Sequence, residues 1–310
     1  MKICIVGPGL MEIPPKGWGA VEILIHDYRC SLEDAGHDVV IVNTPRREEI
    51  VQQVNAASPD FVHIQYDEYI DVADYIQCDN IAITSHYGYL EQPNRWDPGY
   101  HSIFAKQVQS KRVKMFCLSE GIANVYRAAG VPSDRVYVTP NGVRTDLFRF
   151  TESPKYPTRS IYLAKVDFRK RQHMFQQMPH LYFAGNNVDP RFDTVSTSYL
   201  GEWSKDYLYE NLTDYANLVL LSDGEAHPLV CTEALSAGLG LVISQFATAN
   251  LDTSLPFIDV ITEGEISDRE HVEDVLHVNR DKSLKYRKEI KEYAETFSWK
   301  NTVENYCKLL

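Results

Sequence analysis

The sequence predicts an α/β chain of two Rossmann-like, doubly wound halves, the second one trimmed. Three observations predict it. Short apolar runs alternate with amphipathic stretches along all 310 residues. The runs are continuously apolar rather than alternating, as parallel strands covered on both faces require. The pattern pauses at residues 150–158 (FTESPKYPT), which hold two prolines, and then restarts.

The first half opens with a strand over 2–6 (KICIV), ending in Gly7-Pro8-Gly9. A helix follows over 21–32, with Val21, Leu24, Ile25, Tyr28 and Leu32 on one face and Gly36 closing it. Strands are expected at 37–42 (HDVVIV), 61–65 (FVHIQ), 81–85 (IAITS), 113–118 (VKMFCL) and 136–139. Helices fall at 48–57, ended by Ser58-Pro59, and after the N-cap Ser119. In the second half, strands are expected at 160–164 (SIYLA), 180–184 (HLYFA), 217–221 (NLVLL) and 239–244 (LGLVIS). A short helix covers 170–178, a second 229–237 after Pro228, and the region 283–310 is mostly helix, broken near Ser298-Trp299. The boundaries read as 1–152, 153–290, and a closing helix at 291–310 that crosses back. Ligands of such folds bind beyond the carboxyl ends of the strands, here in a cleft that the two halves face across.

Composition narrows the partners. There are 31 Lys and Arg against 43 Asp and Glu, a net charge of −12, so nucleic acid is an unsuitable main partner. No apolar run approaches the roughly 18 residues of a membrane span, and no leader-like segment precedes the first strand. The six cysteines, at 4, 30, 78, 117, 231 and 307, have no metal-ligand spacing and suit a reducing, cytoplasmic setting.

The chemistry concentrates in residues 222–244 (SDGEAHPLVCTEALSAGLGLVIS). Glu225 lies in the loop after a strand, and Glu233 lies eight residues on, inside the helix that follows Pro228. The start of that helix, at Leu229 and Val230, presents backbone N–H groups and a partial positive charge to an anion. A carboxylate inside the helix suits a ribose diol. Residues 163–171 (LAKVDFRKR) put Lys165, Lys170 and two arginines at a strand exit. Gly17 and Gly19 in PPKGWGAVE let backbone approach a diphosphate closely. His86 stands at a strand end in TSHYG, before an aromatic-rich loop, 87–100 (YGYLEQPNRWDPGY).

These stretches, in this order, resemble the retaining glycosyltransferases of family 4, which have the GT-B fold. The string Glu225-Ala226-His227-Pro228-Leu229-Val230-Cys231-Thr232-Glu233-Ala234 resembles that family's E-x7-E element, with Ala-His-Pro where Gly-Phe-Gly is usual. Lys165 and Lys170 take the places of the family's Arg and Lys, and Ala164 and Arg171 replace its glycines. VTPNGV at 138–143, YLGEWS at 199–204 and the closing FSW at 297–299 also resemble family elements.

The resemblance implies transfer of a hexose from a UDP- or GDP-sugar to a hydroxyl of a glycan or glycoconjugate. It implies that Lys165 and Lys170 stabilise the departing diphosphate without a metal or other cofactor. It assigns Glu225 to the sugar hydroxyls, Glu233 to the ribose and His86 to the donor sugar. Gly17, Gly19, Glu202, Trp203, Pro228, Leu229 and Val230 complete the donor side, and Trp18, Tyr87 and Trp96 lie on the acceptor side. Double displacement and front-face return both stay open. A dinucleotide-dependent oxidoreductase is disfavoured: Glu12 stands where the third glycine of its fingerprint belongs. A non-catalytic nucleotide-sugar binder and an epimerase of the same fold are the remaining alternatives.

Overall fold

The computed structural model describes residues 1–17 and 19–310. The chain divides into two units, Met1–Gly142 with Trp299–Leu310, and Val143–Ser298.

Unit 1 runs β1 (Lys2–Val6), α1 (Ala20–Asp34), β2 (Asp38–Val42), α2 (Arg47–Ala57), β3 (Phe61–Ile64), β4 (Ile81–Ile83), α3 (Tyr100–Gln109), β5 (Val113–Cys117), α4 (Glu120–Ala128) and β6 (Val136–Val138). The strands form one parallel sheet in the order β2-β1-β3-β4-β5-β6. The winding reverses between β1 and β3. The inner strands β1, β3, β4 and β5 are buried on both faces, which is why they read as unbroken apolar runs. On α1 the buried side chains Leu24, Ile25, Tyr28 and Leu32 are the helical stripe expected from sequence. The α4 helix starts where the Ser119 hydroxyl accepts the Ile122 N–H at 3.1 Å.

Unit 2 runs β7 (Tyr156–Leu163), α5 (Gln172–Phe175), β8 (Leu181–Ala184), α6 (Lys205–Asn211), β9 (Tyr215–Leu220), α7 (Leu229–Ser236), β10 (Gly240–Ser244), β11 (Ile258–Ile261), α8 (Arg269–Lys285) and α9 (Arg287–Ala294). Its parallel sheet has the order β11-β10-β9-β7-β8. The winding reverses between β7 and β9. The last helix, α10 (Trp299–Cys307), belongs to unit 1, where Trp299 packs edge-on to Tyr28 at 4.6 Å.

The chain leaves unit 1 at Gly142, earlier than the break after residue 152 read from sequence, and returns at Trp299 rather than 291. Two packing facts account for this. Phe148 is buried in the core of unit 2. The buried Arg287 guanidinium donates to the carbonyls of Thr151 and Thr213, both at 2.7 Å, holding α9 and residue 151 in that unit. The stretch read as a linker already contains the start of β7. Strand β11, helices α3 and α6 and most of α8 were not read from sequence. The buried face of α8 explains its case: Asn279, Arg280 and Ser283 lie on it beside Val272 and Leu276, so no apolar stripe marks it. Conversely α5 begins only at Gln172, because Arg171 just before it adopts φ 59°, and it runs four residues rather than from 170 to 178.

Candidate functional site

In unit 2 the loops after β7 and β9 emerge side by side, since these strands are parallel neighbours. This is the point where the winding reverses, the position at which open α/β sheets hold ligands. The first loop carries Lys165, Arg169, Lys170 and Arg171; the second carries Asp223, Gly224 and Glu225. The two are tied together by backbone. The Asp223 N–H donates to the Arg169 carbonyl at 3.0 Å. The buried Tyr162 hydroxyl accepts the Leu221 N–H at 2.8 Å and donates to the Lys170 carbonyl. Gln172 holds the Lys165 carbonyl at 2.9 Å, so the first loop is fixed from both sides.

Between these loops lies a compact ion cluster. The Lys170 ammonium donates to Glu225 Oε1, and Arg169 sits 3.1 Å from the same oxygen. The Glu225 and Lys170 side chains are only 9% and 11% exposed. Burial opposes the charge on Glu225, but Lys170 and Arg169 together outweigh it and hold the carboxyl below its ordinary value. For Lys170 burial dominates, and with Arg169 beside it the ammonium is drawn below its ordinary value despite Glu225. Two cations thus converge on one buried carboxylate, so the charges of the cluster are matched within it.

Arg171 stands where the resemblance described above expects a glycine. It occupies a left-handed backbone position that favours glycine, and forms paired hydrogen bonds to Glu263 at 2.7 and 2.9 Å. A charged side chain with its own partner replaces the usual glycine without opening the turn.

Glu233, on α7, accepts from the Lys205 ammonium. The cation of this pair is more exposed than Lys170. At the start of α7, Pro228 has no N–H, and the Leu229 N–H donates to the His227 carbonyl at 2.9 Å. Val230 is the next residue of that first turn. Trp203 packs against Tyr207, at 5.1 Å, and the core of unit 2, and Glu202 is exposed. Sequence reasoning missed Lys205, Tyr162 and Gln172. Tyr162 carried a signal, a hydroxyl in the middle of an otherwise apolar buried strand; the other two depend on tertiary register.

In unit 1, His86 follows β4, and its Nε2 lies 2.9 Å from Gln65 Oε1 at the end of β3. The loop carrying it is anchored by Asp67, whose carboxylate accepts from the Ser85 and Tyr100 hydroxyls at 2.5 and 2.8 Å. Burial pushes the Asp67 carboxyl above its ordinary value in spite of these bonds. Tyr87 stacks on Tyr100 at 3.8 Å and shares hydrogen bonds with Asp97. The Trp96 indole N–H donates to the Tyr89 carbonyl at 2.9 Å, so this aromatic loop is cross-linked to itself. Gly17 is exposed; Gly19 is buried with φ 142° at the start of α1. Trp18 lies outside the described residues. Among the described residues no group of three or more His, Cys, Asp or Glu side chains is arranged to hold a metal ion, and no helix is long and apolar enough to cross a membrane.

No protein-family profile matches the sequence, and no curated protein matches it. Solved structures do. HepE of Anabaena, in its complex with UDP and glucose, superposes with a TM-score of 0.74 at 14% identity, covering 99% of this chain and 98% of that one. Sucrose-phosphate synthase of Thermosynechococcus elongatus gives 0.75 at 15%, with the same coverage. The lipopolysaccharide outer core galactosyltransferase WaaB gives 0.69 at 16%, covering 98% of each chain. At such identities the likeness is one of fold, and the two parallel-sheet units of this chain are those of the GT-B architecture.

Proposed function

We propose that the protein is a retaining glycosyltransferase that moves a hexose from a nucleoside diphosphate sugar to a hydroxyl of a glycan or glycoconjugate. The observation that carries this reading is the Lys170–Glu225–Arg169 cluster at the point where the winding of unit 2 reverses. The fold-level likeness to a galactosyltransferase and to a protein solved with UDP and glucose supports it and favours a UDP-sugar over a GDP-sugar.

In this reading, donor binding draws Lys170 from Glu225 to the diphosphate, where Lys165 joins it. The cations stabilise the charge that develops on the leaving group as the glycosidic bond breaks, so that no metal is needed. Glu225, released, accepts hydrogen bonds from sugar hydroxyls. Glu233 holds the ribose diol, with Lys205 as its resting partner. Gly17, Gly19, Glu202, Trp203, Pro228 and Val230 contribute to the donor side. The same reading assigns His86 to the donor sugar, and Trp18, Tyr87 and Trp96 to the acceptor. The working compartment is the cytoplasm.

One observation favours a second reading, a non-catalytic nucleotide-sugar binder. Pro228 and the engaged Leu229 N–H leave the start of α7 with fewer backbone donors for a phosphate.

Thermal melting with UDP-, GDP- and ADP-sugars, followed by mass detection of free sugar and nucleotide, tests both. The transferase reading expects one donor to stabilise the protein, by about 2.7 kcal/mol at a hundredfold excess over Kd. It also expects slow hydrolysis of that donor, the first sugar released keeping its anomeric configuration by NMR. Binding without any hydrolysis or transfer favours the second reading; no stabilisation by any donor sinks both.

A further inference from the structure

The turn that carries the two cations of unit 2 also carries an exposed aromatic ring. The Lys170 N–H donates to the Asp167 carbonyl at 3.2 Å and to Asp167 Oδ1 at 3.0 Å, so residues 167–170 form one tight turn. Arg169 and Lys170 close that turn, and Phe168 stands at its tip, 65% exposed. An isolated surface Phe is ordinary; this one is backed by other groups. The Arg191 guanidinium lies over its ring, 5.1 Å from the centroid. Arg191 is held in turn by paired hydrogen bonds to Asp189 Oδ1 and Oδ2, at 2.9 and 2.7 Å, and Asp189 also accepts the Arg191 N–H at 3.0 Å. Asp189 is 3% exposed, and Arg191 holds its carboxyl down to about 2. A buried carboxylate thus fixes the arginine that backs an exposed ring.

The ring and the cations look to different neighbours. Strand β7 has β9 on one side and β8 on the other. Lys170 meets Glu225 from the β9 loop. Arg191 comes from the β8 loop, which is tied to the first loop by the Val166 N–H donating to Asn186 and the Val188 N–H donating to Val166, both at 2.9 Å. Lys205, the partner of Glu233, follows a stretch that also runs along β8, where the Gly185 N–H donates to the Gly201 carbonyl at 2.9 Å. In the reading above the hexose goes with Glu225 and the ribose with Glu233, which leaves the base for the β8 side. Trp203, the other aromatic residue on the donor side, has Tyr207 at 5.1 Å and Tyr215 at 6.0 Å and packs on the core.

We propose that Phe168, backed by Arg191, is the stacking platform for the nucleobase of the bound nucleotide. The proposal rests on the nucleotide-sugar reading above and deepens it. A phenyl face offers no hydrogen-bonding code, so the platform adds affinity for every base and does not choose among them.

The test is calorimetry of the full-length wild type, Phe168→Ala and Phe168→Trp with UDP, GDP, UDP-glucose and inorganic pyrophosphate. Phe168→Ala is expected to weaken UDP, GDP and UDP-glucose alike by about tenfold, within the range of one base–aromatic stack, and to leave pyrophosphate unchanged. Phe168→Trp is expected to keep nucleotide binding and to gain, over the wild-type titration, a fluorescence quench by UDP and GDP that pyrophosphate does not produce. A merely structural role for Phe168 would weaken pyrophosphate as well and give no such quench. Folded Phe168→Ala that binds UDP as the wild type does overturns the platform and leaves the transferase reading standing. A loss confined to UDP-glucose puts the hexose on the ring and overturns the base assignment. Wild type that binds none of the four probes overturns the platform and the transferase reading together.

Discussion

The two units solve the same problem, burying polar groups beside a strand exit, in opposite ways. Unit 2 buries charges: Lys170 and Arg169 converge on Glu225. Unit 1 buries neutral groups: Tyr306, His63 and Gln65 lie within hydrogen-bonding reach of one another in a chain that ends at His86. A buried ion cluster is stable only while its members stay matched, so it cannot lose one. A neutral chain responds little to an incoming charge and instead fixes a geometry. In the proposed transferase reading, charge stabilisation falls to unit 2 and orientation to unit 1.

Acid should break this contrast most strongly, and from the side of unit 1. The folded pKa of His63, about 3, lies below its ordinary 6.5, so the unfolded chain binds the extra proton between those values. The stability from His63 is fully present above pH 6.5 and is lost as pH falls toward 3, on the order of 5 kcal/mol across the window. Urea unfolding of the wild type and of His63→Gln across this range should show the variant with a flatter acid limb.

Next in size is removal of one member of the ion cluster. Glu225→Ala leaves the buried Lys170 ammonium unmatched beside the partly exposed Arg169 and should cost about 3–5 kcal/mol in chemical denaturation and at least about a hundredfold in turnover. The pH signs follow the pair. The depressed Glu225 carboxyl contributes stability above its ordinary 4.5 that disappears as pH falls through the folded value. The depressed Lys170 ammonium works the other way, so stability rises as pH climbs from its folded value toward 10.5. Lys170→Met should remove that alkaline rise.

A smaller effect is expected at Gly185, which follows β8 with φ 143°. A Cβ there would lie 1.9 Å from the Ala164 carbonyl oxygen. Gly185→Ala should destabilise by about 2 kcal/mol and weaken nucleotide binding by shifting the backbone before Lys165. Glu233→Ala is the mildest. Lys205 can turn to water, so stability should change by less than about 1 kcal/mol, while nucleotide affinity falls roughly tenfold by calorimetry. Equal losses of stability at positions 225 and 233 would erase the contrast between a buried cluster and an exchangeable pair.

Much of this was legible in the residues. Unbroken apolar strands announced both parallel sheets, and Lys170 and Glu225 stood out in their loops, although nothing in the sequence paired the two with each other. What escaped was set by partners distant in sequence. Tyr306 lies 243 residues from His63, and nothing local in FVHIQ says that its histidine is neutral and shared. Lys205 meets Glu233 across 28 residues through the placement of α6, a helix too short to show a periodic stripe. Arg171 was read as a lost glycine, whereas Glu263, 92 residues on, engages its guanidinium in the left-handed turn. The β7 start was hidden because Pro157 and the exposed residues around it resemble a linker; they lie in the irregularity between the Tyr156 and Ser160 pairings with β9, a place in a strand that tolerates proline.

The most direct test of the central assignment is UDP-sugar binding and turnover in wild type, Lys170→Met and Glu225→Gln, measured side by side on protein shown to be folded. The account predicts that Lys170→Met weakens binding of the free nucleotide diphosphate, while Glu225→Gln keeps that binding and loses turnover. Indistinguishable affinity and turnover in all three proteins would contradict it.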